Sequence, residues 1–66
     1  MKNEYMVYYT APETAKREGE AENTLFVASA YGTNWDEARA DFADNMKRYG
    51  VDDAKISRIE FYKKVR

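Results

Sequence analysis

The side chains of this sequence that can take part in acid–base or metal chemistry are carboxylates. Histidine and cysteine are absent, which excludes imidazole bases, thiol nucleophiles, and zinc or copper sites built on nitrogen or sulfur. Four carboxylates lie in one segment, namely Asp36, Glu37, Asp41 and Asp44. Helical spacing places the last three opposite an apolar stripe, and Asp44 precedes Arg48 by four residues, the favourable sense for an ion pair. We therefore interpret them as a solvated helix face and predict that the chain is not an enzyme.

Two other local patterns also lack the context that ligand binding requires. Asp52 and Asp53 are adjacent, but the alternating oxygen ligands and final glutamate of a calcium loop are missing, so a turn is the expected role. Gly32 and Gly50 stand alone beside the ends of a predicted helix, without a glycine-rich loop for phosphate. We expect no metal, no cofactor and no small-molecule substrate.

Three segments have the composition of β-strands. Residues 5–10 are β-branched or aromatic types without a charge, which indicates a central strand. Residues 24–31 form a second strand, and residues 55–65 a third in which Ile59 and Phe61 alternate with polar side chains. Residues 13–22 show no apolar period, so we expect a mobile connection there, with at most a frayed helical turn.

Residues 34–49 change from a period of two to a period of 3.6, which predicts an amphipathic helix. Its apolar stripe consists of Trp35, Ala38, Phe42, Met46 and Tyr49. Asn34 is the expected N-cap, with Glu37 three residues on, and Gly50 is the expected left-handed stop.

The resulting order is ββαβ in a single α+β domain spanning residues 1–66. A right-handed crossover makes the third strand parallel to the second. Placing the uncharged first strand between them gives a three-stranded antiparallel sheet of order 2-1-3, with one helix packed on one face.

One helix covers one face of such a sheet, so the other face meets water, a second copy or a partner. Alternation places Val7, Val27 and Phe61 under the helix and makes the outer face aromatic. The opposite assignment for the second strand stays open, because both of its faces are apolar. Six residues are the predicted partner-binding set: Met6, Tyr8, Phe26, Arg58, Tyr62 and Lys64. Tyrosine and arginine are enriched among the contacts that dominate binding energy.

Charge is distributed unevenly along the chain. Residues 1–45 hold four basic and nine acidic side chains, a net charge of −5, whereas residues 46–66 hold seven basic and three acidic ones, a net charge of +4. The alternative function is therefore single-stranded nucleic-acid binding by the sheet aromatics and the basic third strand. The total charge of −1 weakens this alternative.

Length and composition set the expected class. No apolar run reaches the ~20 residues of a membrane helix, and no cysteine is present, so we expect a soluble, unprocessed, cytoplasmic protein. No family motif matches, but the chain's short length, many aromatic and charged residues and lack of cysteine and histidine resemble the small accessory proteins that bacteriophages use to inhibit host or defence proteins. The predicted function is a non-enzymatic protein-binding module, used either for homodimerisation or as such an inhibitor.

Overall fold

A computed structural model describes residues 2–65 and contains one three-stranded antiparallel sheet. Its strands are β1 (Lys2–Thr10), β2 (Phe26–Gly32) and β3 (Lys55–Val65), arranged in the order β2-β1-β3. The helices are α1 (Pro12–Arg17) and α2 (Trp35–Arg48). The α+β class, the strand order and the antiparallel pairing predicted from the sequence are confirmed.

The uncharged part of the central strand β1, residues 5–10, supplies buried side chains to the core. Val7 is fully buried and Tyr5 is nearly so. Both pack with Ala30 of β2 and with three residues of α2, namely Ala38, Phe42 and Met46. The core of this small domain is therefore a single layer between the sheet and α2.

Helix α2 begins and ends at the predicted signals. The Asn34 side chain accepts a hydrogen bond from the Glu37 amide at 2.9 Å, and Gly50 adopts a φ of +75° beyond the last turn. The two ends of its apolar stripe are less buried than the centre, since Trp35 is 48% exposed and Tyr49 is 76% exposed. None of the described helices is long and apolar enough to cross a membrane.

Helix α1 lies in the segment for which we expected a mobile connection. Ala11, at the N-cap position, has no side chain that can cap the helix. Instead, the Glu13 amide donates a hydrogen bond of 2.7 Å to the carboxylate of Asp53, which lies in a loop 40 residues away in sequence. The end of α1 lies on the same side of the sheet as α2, since Arg17 and Met46 line one groove together with Tyr9. Burial, and secondly the charge of Glu18, raise the pKa of Tyr9. This helix depends on a distant partner, which local sequence does not reveal.

The predicted side-chain assignment of the second strand is wrong. Ala28 is opposite Val7 and packs against the core, and the Phe26 ring lies 5.5 Å from the Tyr9 ring. Phe26 and Ala28 therefore face α2, whereas Val27, predicted to be buried, is 52% exposed. Small residues face the helix because α2 approaches β2 closely.

Strand β3 carries two irregularities that change its predicted alternation. The pairing with β1 shifts between Glu4 and Tyr5 and again between Tyr8 and Tyr9. The first shift makes Tyr62 an extra residue and puts Lys63 opposite Glu4, with Lys64 opposite Asn3. A bulge of this kind inserts one residue into one strand and re-aims the side chains beyond it. The prediction that Lys64 lies on the face away from α2 is wrong, and Lys63 takes that position.

The tightest approach between sheet and helix is at Gly32, the last residue of β2. A Cβ atom at this position would lie 2.6 Å from the Glu37 Cβ and 2.8 Å from the Ala38 amide nitrogen. Glycine is required here by space, because the backbone of Gly32 is not in the left-handed region. It allows the start of α2 to lie directly against the edge of the sheet.

We expect Gly32→Ala to lower the free energy of unfolding by about 2 to 3 kcal/mol, because the added methyl group must push α2 away from β2. Urea denaturation measures this change. The control is Gly19→Ala, where a Cβ meets no neighbour but φ is +76°, at a cost of about 1 kcal/mol. Equal destabilisation by the two variants would contradict the close-packing argument.

Candidate functional site

One face of the sheet is covered by neither helix, since both lie on the side of Tyr5 and Tyr9. We call it the open face. The pairing register arranges it in three rows across β2, β1 and β3. The rows, in that order, are Val27, Tyr8 and Arg58; then Ser29, Met6 and Glu60; then Tyr31, Glu4 and Lys63.

Tyr8 and Arg58 form the best-defined contact of the open face. The Arg58 guanidinium carbon lies 4.0 Å from the centre of the Tyr8 ring, and its Nε donates to the Glu60 carboxylate at 2.8 Å. The hydrogen bond with Glu60 is the main cause that raises the pKa of Arg58, which therefore stays charged. The carboxylate holds a cation over an aromatic ring, at a distance at which cation–π attraction is effective.

A second polar contact of the open face joins β2 and β1. The Ser29 hydroxyl donates to the Glu4 carboxylate at 2.9 Å and lies 3.9 Å from the Met6 sulfur. Two acidic and two basic side chains lie in these three rows, namely Glu4, Glu60, Arg58 and Lys63, so the formal charge of the rows is zero, and Lys2 at the end of β1 adds one positive charge on this face. A net charge this small attracts a polyanion only weakly.

Apolar side chains remain accessible between these charges. Val27 is 52% exposed and Tyr31 is 40% exposed, and Leu25, just before β2, is 47% exposed. Met6 and Tyr8 are half-buried beside them. An apolar strip bordered by charged groups has the general pattern of a protein interface, which combines an apolar centre with a polar rim.

The structure brings three of the six predicted binding residues together on the open face: Met6, Tyr8 and Arg58. Phe26 lies on the opposite side, and Lys64 is replaced by Lys63. Tyr62 occupies the bulge, where it is 58% exposed with the Lys63 ammonium 5.5 Å from its ring centre. Their role in binding stays a prediction.

Val27 and Tyr31 were missed by the sequence argument. The signal that identifies them is the alternation of small residues at Ala28, Ala30 and Gly32. A helix packed closely on a strand requires small side chains on the facing side, which leaves the larger alternate residues outside.

Two of the four carboxylates first considered for chemistry, Glu37 and Asp41, have structural partners. Glu37 accepts hydrogen bonds from the Thr33 amide and hydroxyl at 2.8 and 2.7 Å. Asp41 accepts from the Tyr31 amide at 2.9 Å, on the outer edge of β2. These bonds fasten the start of α2 and the free edge of the sheet, and they account for the position of both groups without any reaction.

Comparisons with protein-family models, with curated proteins and with solved structures find no match to this chain. Its function is therefore argued from the site alone. A fold of this simplicity also hosts many unrelated functions.

The hydrogen bonds to Glu37 predict a pH dependence of stability. Bonds from the Thr33 amide and hydroxyl lower the pKa of Glu37 below its ordinary value of 4.5. A carboxyl group whose pKa is lowered by folding stabilises the fold at pH values above its ordinary pKa. This stabilisation is lost as the pH falls through the folded-state pKa. When the pH is lowered from about 5 to about 3, we expect the Glu37→Gln variant to lose less stability than the parent chain. Thermal unfolding of both proteins measures this difference.

The control for this experiment is Glu20→Gln, since the Glu20 side chain accepts no hydrogen bond within residues 2–65. Its stability profile should run parallel to that of the parent chain. A Glu37→Gln profile that also runs parallel would show that the bonds to Thr33 do not stabilise the carboxylate.

Proposed function

We propose that this domain is a non-enzymatic protein-binding module that acts through the open face. The observation that carries the proposal is the row formed by Val27, Tyr8 and Arg58. In this row an exposed aliphatic side chain adjoins an aromatic ring with a guanidinium 4.0 Å above it. Tyrosine and arginine placed together beside apolar surface are typical of the residues that dominate protein interfaces.

The charge of the open face favours a protein over a nucleic acid as the partner. The four charged groups of its three rows sum to zero, and Arg58 is already bound to Glu60. Phosphate groups would therefore meet Glu4 and Glu60 as well as the two cations. A protein surface with both signs of charge matches this pattern, because interfaces pair complementary groups around an apolar centre.

The stability of the fold gives a second reason for a binding role. The Arg58 and Glu60 side chains are about half exposed, and exposed ion pairs contribute only about 0 to 1 kcal/mol to folding. The fixed position of Arg58 over Tyr8 therefore adds little to the stability of the isolated domain. It does prepare a contact, because side chains already held in one arrangement lose less freedom on binding.

Within this function, homodimerisation and capture of another protein are the two uses of the surface. Inhibition of a host or defence protein, which the resemblance to phage accessory proteins implies, is one form of the second use. It stays a prediction, as does the expected cytoplasmic location.

We expect the double variant Tyr8→Ser/Val27→Ser to weaken binding through the open face by about 30-fold or more, the effect of losing a dominant contact. Sedimentation equilibrium measures self-association. Cross-linked capture from cell extract, compared between variants, measures capture of another protein. The matched control is Tyr49→Ser, which removes a 76% exposed tyrosine from the end of α2 and should leave both signals unchanged.

Two outcomes would refute the proposal. If the double variant and the parent chain showed the same self-association and the same capture, the open face would be excluded as the binding surface. Binding of a single-stranded oligonucleotide that weakens steeply with salt and is lost in the double variant would establish the nucleic-acid alternative instead. Circular dichroism of each variant confirms that a lost signal does not come from unfolding.

A further inference from the structure

Helix α2 covers only part of the sheet face on which it lies. It packs mainly on β2, reaches β1 at a few positions and makes no comparable contact with β3. A helix is about 10 Å wide with its side chains and strands are about 4.8 Å apart, so one helix spans about two strands. The third strand of this sheet therefore lacks a cover on the same side.

The uncovered region is a trough between α2 and β3. One wall consists of residues spaced three or four apart along α2, and the other consists of apolar residues of β3. We call this set the trough: Trp35, Arg39, Ala43, Lys47, Ile56, Ile59 and Phe61. It lies on the opposite side of the sheet from the open face.

Both ends of the trough are apolar and accessible. At one end is a groove of about 770 Å³ whose lining includes Met46, Val51 and Ile56. At the other end Trp35 and Phe61 are about half exposed. Their ring centres lie 4.9 and 5.9 Å from that of the buried Tyr5.

The dimensions of the trough match those of a short helix. The β3 wall from Ile56 to Phe61 lies opposite Tyr9 to Tyr5 of β1, four steps of about 3.3 Å, or about 13 Å. The α2 wall from Trp35 to Lys47 has twelve steps of about 1.5 Å, or about 18 Å. Three helical turns have a length between these two values. A second helix laid there would lie beside α2 and complete a two-helix layer over the three strands, a usual arrangement for a sheet with one apolar face.

The charges at the groove end specify the partner further. Arg39, Lys47 and Lys55 line this end together with one acidic residue, Asp52. Within residues 2–65 none of these three cations forms an ion pair. Acidic side chains along the edge of a bound helix would meet unpaired cations there.

We propose that the trough binds an amphipathic helix of about three turns whose apolar stripe is bordered by aspartate and glutamate. Helices commonly bind to apolar grooves in this way, with anchors at helical spacing. A second copy of the chain does not supply such a helix from its described part, because the apolar stripe of α2 is packed in the core and α1 has six residues. The proposal is independent of the function proposed for the open face.

The test uses two tryptophan-free peptides with the same leucine stripe, one bordered by glutamate and the other by lysine. Trp35 is the single tryptophan of the chain, so its fluorescence reports binding at the trough. We expect the glutamate peptide to bind about tenfold more tightly at low salt, with the difference shrinking as salt is added. The helicity of the peptide should rise on binding.

Variants separate the charge and apolar contributions. The double variant Arg39→Glu/Lys47→Glu should reverse the preference between the two peptides. The variant Phe61→Ser should weaken the binding of both peptides by about tenfold or more. Phe61 is half exposed, so this variant should remain folded. The matched control is Lys63→Glu, which reverses a charge on the open face and should leave both affinities unchanged.

The proposal is overturned by any of three results. The first is equal affinity for the two peptides, or no binding of the glutamate peptide up to about 1 mM. The second is binding whose amide shifts in nuclear magnetic resonance lie on the open face. The third is occupation of the trough by a different ligand. A fatty acid as the occupant would be shown by tight binding of decanoate without peptide binding, and a second copy of the chain by a dimer that Phe61→Ser dissociates.

Discussion

Close packing between the end of strand β2 and the start of helix α2 determines how the two faces of this domain differ. Gly32 has no room for a side chain beside Glu37 and Ala38, and Ala30 is fully buried against the same helix. Because the contact is so close, α2 lies toward the β2 edge rather than over the middle of the sheet. The accessible surface of β3 and the exposure of Val27 on the reverse side both follow from this single approach.

Much of the fold could be predicted because its signals are local. Asn34, Glu37 and Gly50 mark the ends of α2 within a few residues of the helix itself. The uncharged run from Tyr5 to Thr10 indicates the central strand, since its aromatic and β-branched side chains can be buried without the cost of burying a charge. Helix α1 was not predicted, because Asp53, the residue that stabilises its first turn, is distant in sequence.

The open face was predicted only in part, for two physical reasons. Tyr8, Met6 and Arg58 were placed correctly because β1 and the middle of β3 alternate regularly. Phe26 was misplaced because both faces of β2 are apolar, and side-chain size rather than polarity decides which of them meets a helix. Lys64 was misplaced because a one-residue insertion moves every later side chain to the other face. Sequence alternation does not show such an insertion.

The bulges of β3 also affect how this chain behaves at high concentration. An outer strand of eleven residues offers a row of free amide and carbonyl groups, the usual template for sheet-to-sheet aggregation. The pairing with β1 is regular for only four residues, Arg58 to Phe61, between the two shifts. Lysines lie beyond these shifts at both ends of the strand. The regular part of this edge is therefore too short for a strand of a second chain to pair with it stably. This protects the domain from fibril growth along the β3 edge.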